Sequence, residues 1–342
     1  MMKWSVCGML LLVLVSFSCK KKNAGPVDIA PTNLTFTADV STNNSGNVTF
    51  TASATNAVNY EFDFGNGVFQ DVPSGTVTYK YPASGNYTTK VTARSASGQT
   101  LSKTLTISVT VALTLVWSDE FNTAGAPDPA RWGYDIGTGS SGWGNNELQF
   151  YTSRPENVSI SNGTLKIVAR REAFSGSNFT SARLLTRDKF SFRYGKVEAR
   201  AKLPAGVGTW PAIWMLGANF GTVGWPACGE IDIMEHVGAQ LNKIYGTLHY
   251  PGFSGGNAVG GQVTVPKVTT EFKVYSVEWT PAIIRFSVDG VPFFTFANTS
   301  SLPFNQNFFI IMNVAMGGNF GGPVESGFTS GTMEVDYIRV YQ

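Results

Sequence analysis

Three acids stand close together in the segment Gly229-Glu230-Ile231-Asp232-Ile233-Met234-Glu235-His236. Two carboxyl groups on opposite sides of a bond are the equipment for cleaving a glycosidic linkage. One protonates the leaving oxygen while the other attacks the anomeric carbon or activates water; about 5 to 5.5 Å between them gives retention, a wider gap inversion. Two plainer readings compete with this chemistry. The acids could pair with basic residues of a neighbouring strand, or they could ligate Ca2+, although alternating strand residues converge on an ion less well than a loop does.

The spacing says how such acids would be carried. Glu230 and Asp232 alternate with Ile231 and Ile233, so on a strand the carboxylates share one face and the isoleucines enter the core. Strict alternation would put Glu235 on the isoleucine face, where an unpaired carboxylate costs several kcal/mol or takes up a proton. A β-bulge near Met234 removes the conflict: it returns Glu235 to the acidic face and turns His236 inward. Glu230 and Glu235 then stand roughly 13 Å apart at Cα, at about 3.3 Å per residue, and side chains leaning together close the gap. Three like charges in one groove repel each other, and proteins hold such arrangements at sites of function.

The rest of the chain narrows the options. Of 342 residues 43% are apolar and only 14% charged, against about 25% in a typical soluble chain, so disorder driven by charge is excluded. With 25 basic and 23 acidic residues there is no field for nucleic acid. Two histidines, His236 and His249, cannot build a three-histidine metal site. From Leu113 to Gln342 long strands alternate with period two: Gly195 to Leu203, Met333 to Tyr341, and a hairpin from Arg285 to Phe294 turning at Asp289-Gly290. Phe308 to Ala315 is an apolar run suited to a central strand. No helical stripe of comparable length appears. The expected fold is all-β, a two-sheet jelly roll (residues 113–342) whose curved face holds an extended ligand. Upstream, residues 32–111 form a separate Thr/Ser/Asn-rich β region.

The N-terminus carries an address. Met9 to Val15 is continuously apolar, too short for the roughly 20 residues a membrane span needs but fitting a signal peptide. Ser16-Phe17-Ser18-Cys19, followed by three lysines, resembles a bacterial lipoprotein processing site. That resemblance implies a signal peptide over 1–18, acylation at Cys19, and a tether over 19–31 that holds the protein to the outer membrane; simple secretion is the alternative. Only Cys228 then remains in the body, so no disulfide is expected.

Two family resemblances follow from these motifs. Tyr60 to Gly67, Tyr79-Lys80-Tyr81 and Gly85 to Val91 resemble a PKD domain, which implies an immunoglobulin-like sandwich serving as a spacer. The acidic segment resembles glycoside hydrolase family 16, in its bacterial laminarinase branch. With it match Trp210-Pro211-Ala212-Ile213-Trp214, Trp143 to Tyr151, Ser181 to Leu184, Tyr194 to Arg200 and Val335 to Tyr341. This resemblance implies a concanavalin-like jelly roll with a concave groove, and a retaining endo-β-1,3-glucanase acting on a polysaccharide as a monomer without a catalytic cofactor; a mixed-linkage glucanase, an agarase-type galactanase or a non-catalytic glucan-binding surface lipoprotein is the alternative. It implies Glu230 as nucleophile, Glu235 as acid/base and Asp232 as assistant. Trp210, Trp214, Trp225 and Trp143 are the expected sugar platforms, and Arg183, Asn145 and His249 the expected hydroxyl partners, with Glu147 alternatively a structural partner of Arg183. A structural Ca2+ is expected at Glu120, Asp336 and the Gly163 carbonyl.

Overall fold

The computed structural model describes residues 29–342. The signal segment 1–18, Cys19 and tether residues 19–28 lie outside the described residues. Among the described residues no helix is long and apolar enough to cross a membrane.

The Thr/Ser/Asn-rich region folds into two small sheets. One holds Thr32–Val40, Asn47–Thr55 and Thr76–Lys80; the other holds Phe69–Asp71, Asn59–Asp63, Gly85–Arg94 and Thr100–Val109. Period two sends Val48, Phe50 and Ala52 inward, and the Phe50 ring meets Phe36 at 5.9 Å and Phe64 at 5.5 Å. This is the expected sandwich, built around phenylalanine.

From Leu115 the strands form a ten-stranded and a seven-stranded sheet, which share no strand with the first two. The seven-stranded sheet carries the acidic segment. In chain order its strands are β1 (Gly133–Tyr134), β2 (Arg183–Leu185), β3 (Thr209–Gly217), β4 (Glu230–Glu235), β5 (Lys243–His249), β6 (Val259–Thr264) and β7 (Phe308–Met316). In space they run β6-β5-β4-β3-β7-β2-β1, antiparallel throughout.

One core joins the two sheets. Ile213, Met215, Ile310, Met312 and Val314 of the seven-stranded sheet pack in it with Val197, Ala199, Val277 and Val335 of the other. Each fully buried aliphatic side chain contributes about 1.5–3 kcal/mol, so the inner faces hold the sheets together. The outer face is then free to carry polar chemistry. On β3 it bears Trp210, Ala212, Trp214 and Leu216, and on β7 Phe309, Ile311, Asn313 and Ala315. The hairpin expected at Asp289-Gly290 forms as a two-residue turn, both residues having positive φ (49° and 76°), with Val288 opposite Val291.

Candidate active site

The bulge lies inside β4. On the β3 side Glu235 opposes Ala212 and Met234 opposes Ile213, but Asp232 opposes Trp214, so Ile233 is skipped. On the β5 side the register also shifts between Asp232 and Glu235. The extra residue leaves Ile231, Ile233 and Met234 in the core, while Glu230, Asp232 and Glu235 line one cleft of about 850 Å3. His236 turns inward and is fully buried, its Nδ1 2.9 Å from the Lys243 carbonyl.

Each glutamate is gripped by an indole. Trp225 Nε1 donates to Glu230 Oε2 at 2.7 Å, and Trp210 Nε1 donates to Glu235 Oε1 at 3.0 Å. Thr247 Oγ1, on β5, donates to the other oxygen of Glu235 at 2.8 Å. His249 sits opposite Glu230 in the β4–β5 register; its Nε2 lies 3.2 Å from Asp232 Oδ2 and 3.9 Å from Glu230 Oε1.

Burial governs the protonation of the trio. It is the largest cause for all three acids, because a charge removed from water is disfavoured. Asp232 is pushed well above the carboxylate range by burial and then by the charge of Glu235. Glu230 is pushed up to about 8 by burial and then by the charge of Asp232, against the pull of His249 and the Trp225 hydrogen bond. Glu235 is raised by burial, while Thr247 and Trp210 pull it down. Crowding of three acids favours retention of a proton among them, and the hydrogen bond with Glu230 lowers Asp232 against that trend. Burial, rather than repulsion from Glu230 and Asp232, is what raises Glu235.

The other expected side chains, Trp143, Asn145, Arg183, Trp210, Trp214, Trp225 and His249, all line the same cleft. Several have a different employment from the one expected. The Arg183 guanidinium lies 4.5 Å from the Trp143 ring and 4.8 Å from the Trp214 ring, a cation between two indoles. Its Nε lies 3.1 Å from Asp135, so Asp135 takes the place considered for Glu147. Glu147 accepts instead from Asn145 (3.3 Å), Gln149 (2.7 Å) and Tyr151 (3.1 Å). Asn313 donates to Tyr151 Oη at 3.0 Å and accepts from Trp214 Nε1 at 2.8 Å. Asp135, Tyr151 and Asn313 went unnoticed in the sequence; only Asn313 left a signal there, as the single polar residue of an apolar strand on the parity of the outer face.

The residues expected to hold Ca2+ do not fit that ion as arranged. Glu120 is forked to Arg339 at 2.9 and 2.7 Å, and Asp336 lies 2.5 Å from Arg200. A cation there would have to displace two guanidinium groups. Among the described residues, the grouping that could offer three donors to a metal is Glu230, Asp232 and His249, inside the cleft itself.

Comparison with known proteins agrees with this geometry. Residues 145–339 match the family described as Glycosyl hydrolases family 16, and residues 33–111 match the PKD domain. A beta-glucanase of Rhodothermus marinus is 47% identical over 244 residues, spanning 67% of this chain and 85% of that protein. The X-ray structure of the laminarinase from Rhodothermus marinus superposes with a TM-score of 0.65 at 47% identity, over 68% of this chain and 98% of that one. The laminarinase catalytic domain from Thermotoga maritima gives 0.63 at 42% identity, over 67% and 98%. A bulged acidic strand on the open face of a two-sheet sandwich, and relatives this near along the whole of that sandwich, place the chain in glycosyl hydrolase family 16.

Proposed function

We propose that this protein hydrolyses β-1,3-glucan internally, with retention at the anomeric carbon, by two successive displacements in the cleft over β4. The observation that carries the reading is the set of three carboxylates on one strand face, Asp232 and Glu235 buried and Glu230 half-buried, each glutamate held by its own indole N–H. Glu230 attacks the anomeric carbon while Glu235 gives its proton to the departing glycosidic oxygen. The ionised Glu235 then takes a proton from water, which displaces Glu230 from the sugar on the same face the leaving group vacated. Asp232 shares a hydrogen bond with Glu230 and adjusts the nucleophile as its charge falls and returns. The beta-glucanase and laminarinase relatives support β-1,3-glucan as the polymer. The apolar indole and isoleucine floor of the cleft suits the C–H faces of glucose units.

Release of reducing ends from laminarin, lichenan, curdlan, agarose and carrageenan, with product sizing, tests the reading. A ladder of short products from laminarin and curdlan is expected. Activity confined to agarose or carrageenan would overturn the glucan assignment, and products of inverted configuration would overturn the two-step mechanism.

The N-terminal segment supports attachment of the enzyme to the cell envelope through a lipid on Cys19, with the PKD region as a spacer that lifts the cleft toward insoluble polymer. Cys19→Ser should move the protein from the membrane fraction to the soluble one. Unchanged partition would count against the anchor.

A further inference from the structure

His249 accepts a hydrogen bond at one ring nitrogen and has a carboxylate beside the other. A backbone N–H only donates, and that of Gly255 points at His249 Nδ1 from 3.2 Å. Nδ1 must therefore present its lone pair, which leaves the ring hydrogen on Nε2. Nε2 lies 3.2 Å from Asp232 Oδ2, and that buried oxygen makes no hydrogen bond in the structure, so the Nε2–H is a donor beside an acceptor that lacks one. The ring is held on a second side by Trp225, whose centroid lies 5.8 Å away and whose own N–H grips Glu230. The groups facing it are Glu230 and Asp232 from β4, with Glu235 farther along that strand. The connection from Pro251 to Ala258 carries no charged residue.

We infer that His249 is a positioning residue: the Gly255 amide sets it in the Nε2–H form, and from Nε2 it holds Asp232 in the orientation that serves Glu230. This rests on the glucanase reading for its consequence in catalysis, though not for the tautomer. It also removes His249 from the set of metal donors, since the nitrogen facing the carboxylates offers a hydrogen and no lone pair. The other histidine is an internal contrast. A carbonyl only accepts, so His236 Nδ1, 2.9 Å from the Lys243 oxygen, must carry its hydrogen there. The chain's two histidines should thus show opposite tautomers.

Long-range proton–nitrogen correlation on the full chain labelled with 15N-histidine, at about pH 7, reads this directly and without reference to activity. One neutral ring protonated at Nδ1 and one at Nε2 are expected, the second set disappearing in His249→Gln. An imidazolium pattern, or an Nδ1 hydrogen, for His249 would overturn the proposal. Kinetics on laminarin test the positioning role. Gln can present an amide N–H in place of Nε2–H, so His249→Gln should lose about 10-fold or less in kcat, whereas His249→Leu should lose on the order of 100-fold with KM little changed. Equal losses in both variants, or a loss expressed wholly in KM, would return His249 to a simple contact with the sugar. If the Leu variant fails to fold, the spectrum of the unaltered chain still decides.

Discussion

The two indoles that hold Glu230 and Glu235 come from different places, Trp225 from the connection before β4 and Trp210 from the start of β3. An N–H donor favours the ionised form of the carboxylate it meets, so removing it should raise that group's pKa. Replacing Trp by Phe keeps an apolar ring and deletes the donor, at a cost of about 1.5–3 kcal/mol for a bond to a charged group, or roughly 10- to 100-fold in rate. The two variants should differ in where they act. Trp225→Phe should shift the acidic limb of kcat/KM upward, because the nucleophile must be ionised; Trp210→Phe should shift the basic limb upward, because the acid now keeps its proton longer. Exchange of the two limbs between the variants would reverse the roles of the glutamates. Stability carries the same information. Glu230 is raised from 4.5 to about 8 in the folded chain, so the fold binds more protons than the unfolded chain between those values and loses stability as pH rises through that window. Glu230→Gln should therefore melt higher than the wild type at about pH 8, by roughly 2 to 6 °C, and gain little at about pH 4. Equal melting at both values would show that the carboxylate is not under this strain.

At the scale of the element, what could be read in advance was parity. The misplaced Glu235 asked for a bulge because a strand has only two faces, and β4 supplies it at Ile233 and Met234. Parity does not say which atom meets which. Trp210 was legible as a residue of the groove face, yet its N–H bond to Glu235 depends on the pairing of β3 with β4. The Arg183–Asp135 pair joins β2 to the residue just after β1, and no local spacing announces it. The same holds for the relay Asn145–Glu147–Tyr151–Asn313–Trp214, which ties the Gly142–Asn146 turn to the cleft floor. Trp143 sits in that turn with φ of 55°, a left-handed conformation that non-glycine residues seldom adopt. Glu147→Ala should release the turn and leave the donors of Gln149 and Tyr151, both fully buried, without an acceptor at about 1–3 kcal/mol each. The expected result is a lower melting temperature and a KM for laminarin raised about 10-fold, with kcat altered far less. A loss confined to kcat would show that Glu147 acts on the chemistry rather than on the platform.

For the whole molecule, composition and alternation were enough to indicate two consecutive β structures, because each must bury its own apolar face. Strands up to Val109 and strands from Leu115 belong to different sheets. All residues that line the cleft lie between Asp135 and Phe320. A chain beginning at Leu113 should therefore keep its turnover on soluble oligosaccharides to within about 2-fold, and any loss should appear on insoluble curdlan. Folded material that is inactive on soluble substrate would show that the upstream strands contribute to the site.

The skipped residue of β4 has a consequence for change by insertion and deletion. One residue gained or lost inside a strand ordinarily turns everything after it to the opposite side. Without Met234 the segment would read Glu-Ile-Asp-Ile-Glu-His in unbroken alternation, with every acid still outward and the histidine still inward. The bulge absorbs the count, so the backbone beyond it stays paired, His236 N to Pro211 O and Gly238 N to Thr209 O. A single codon at this point thus slides the proton donor along the cleft by up to about 3.3 Å and leaves its facing intact, altering the reach of the acid toward the sugar while the identity of the chemistry is preserved.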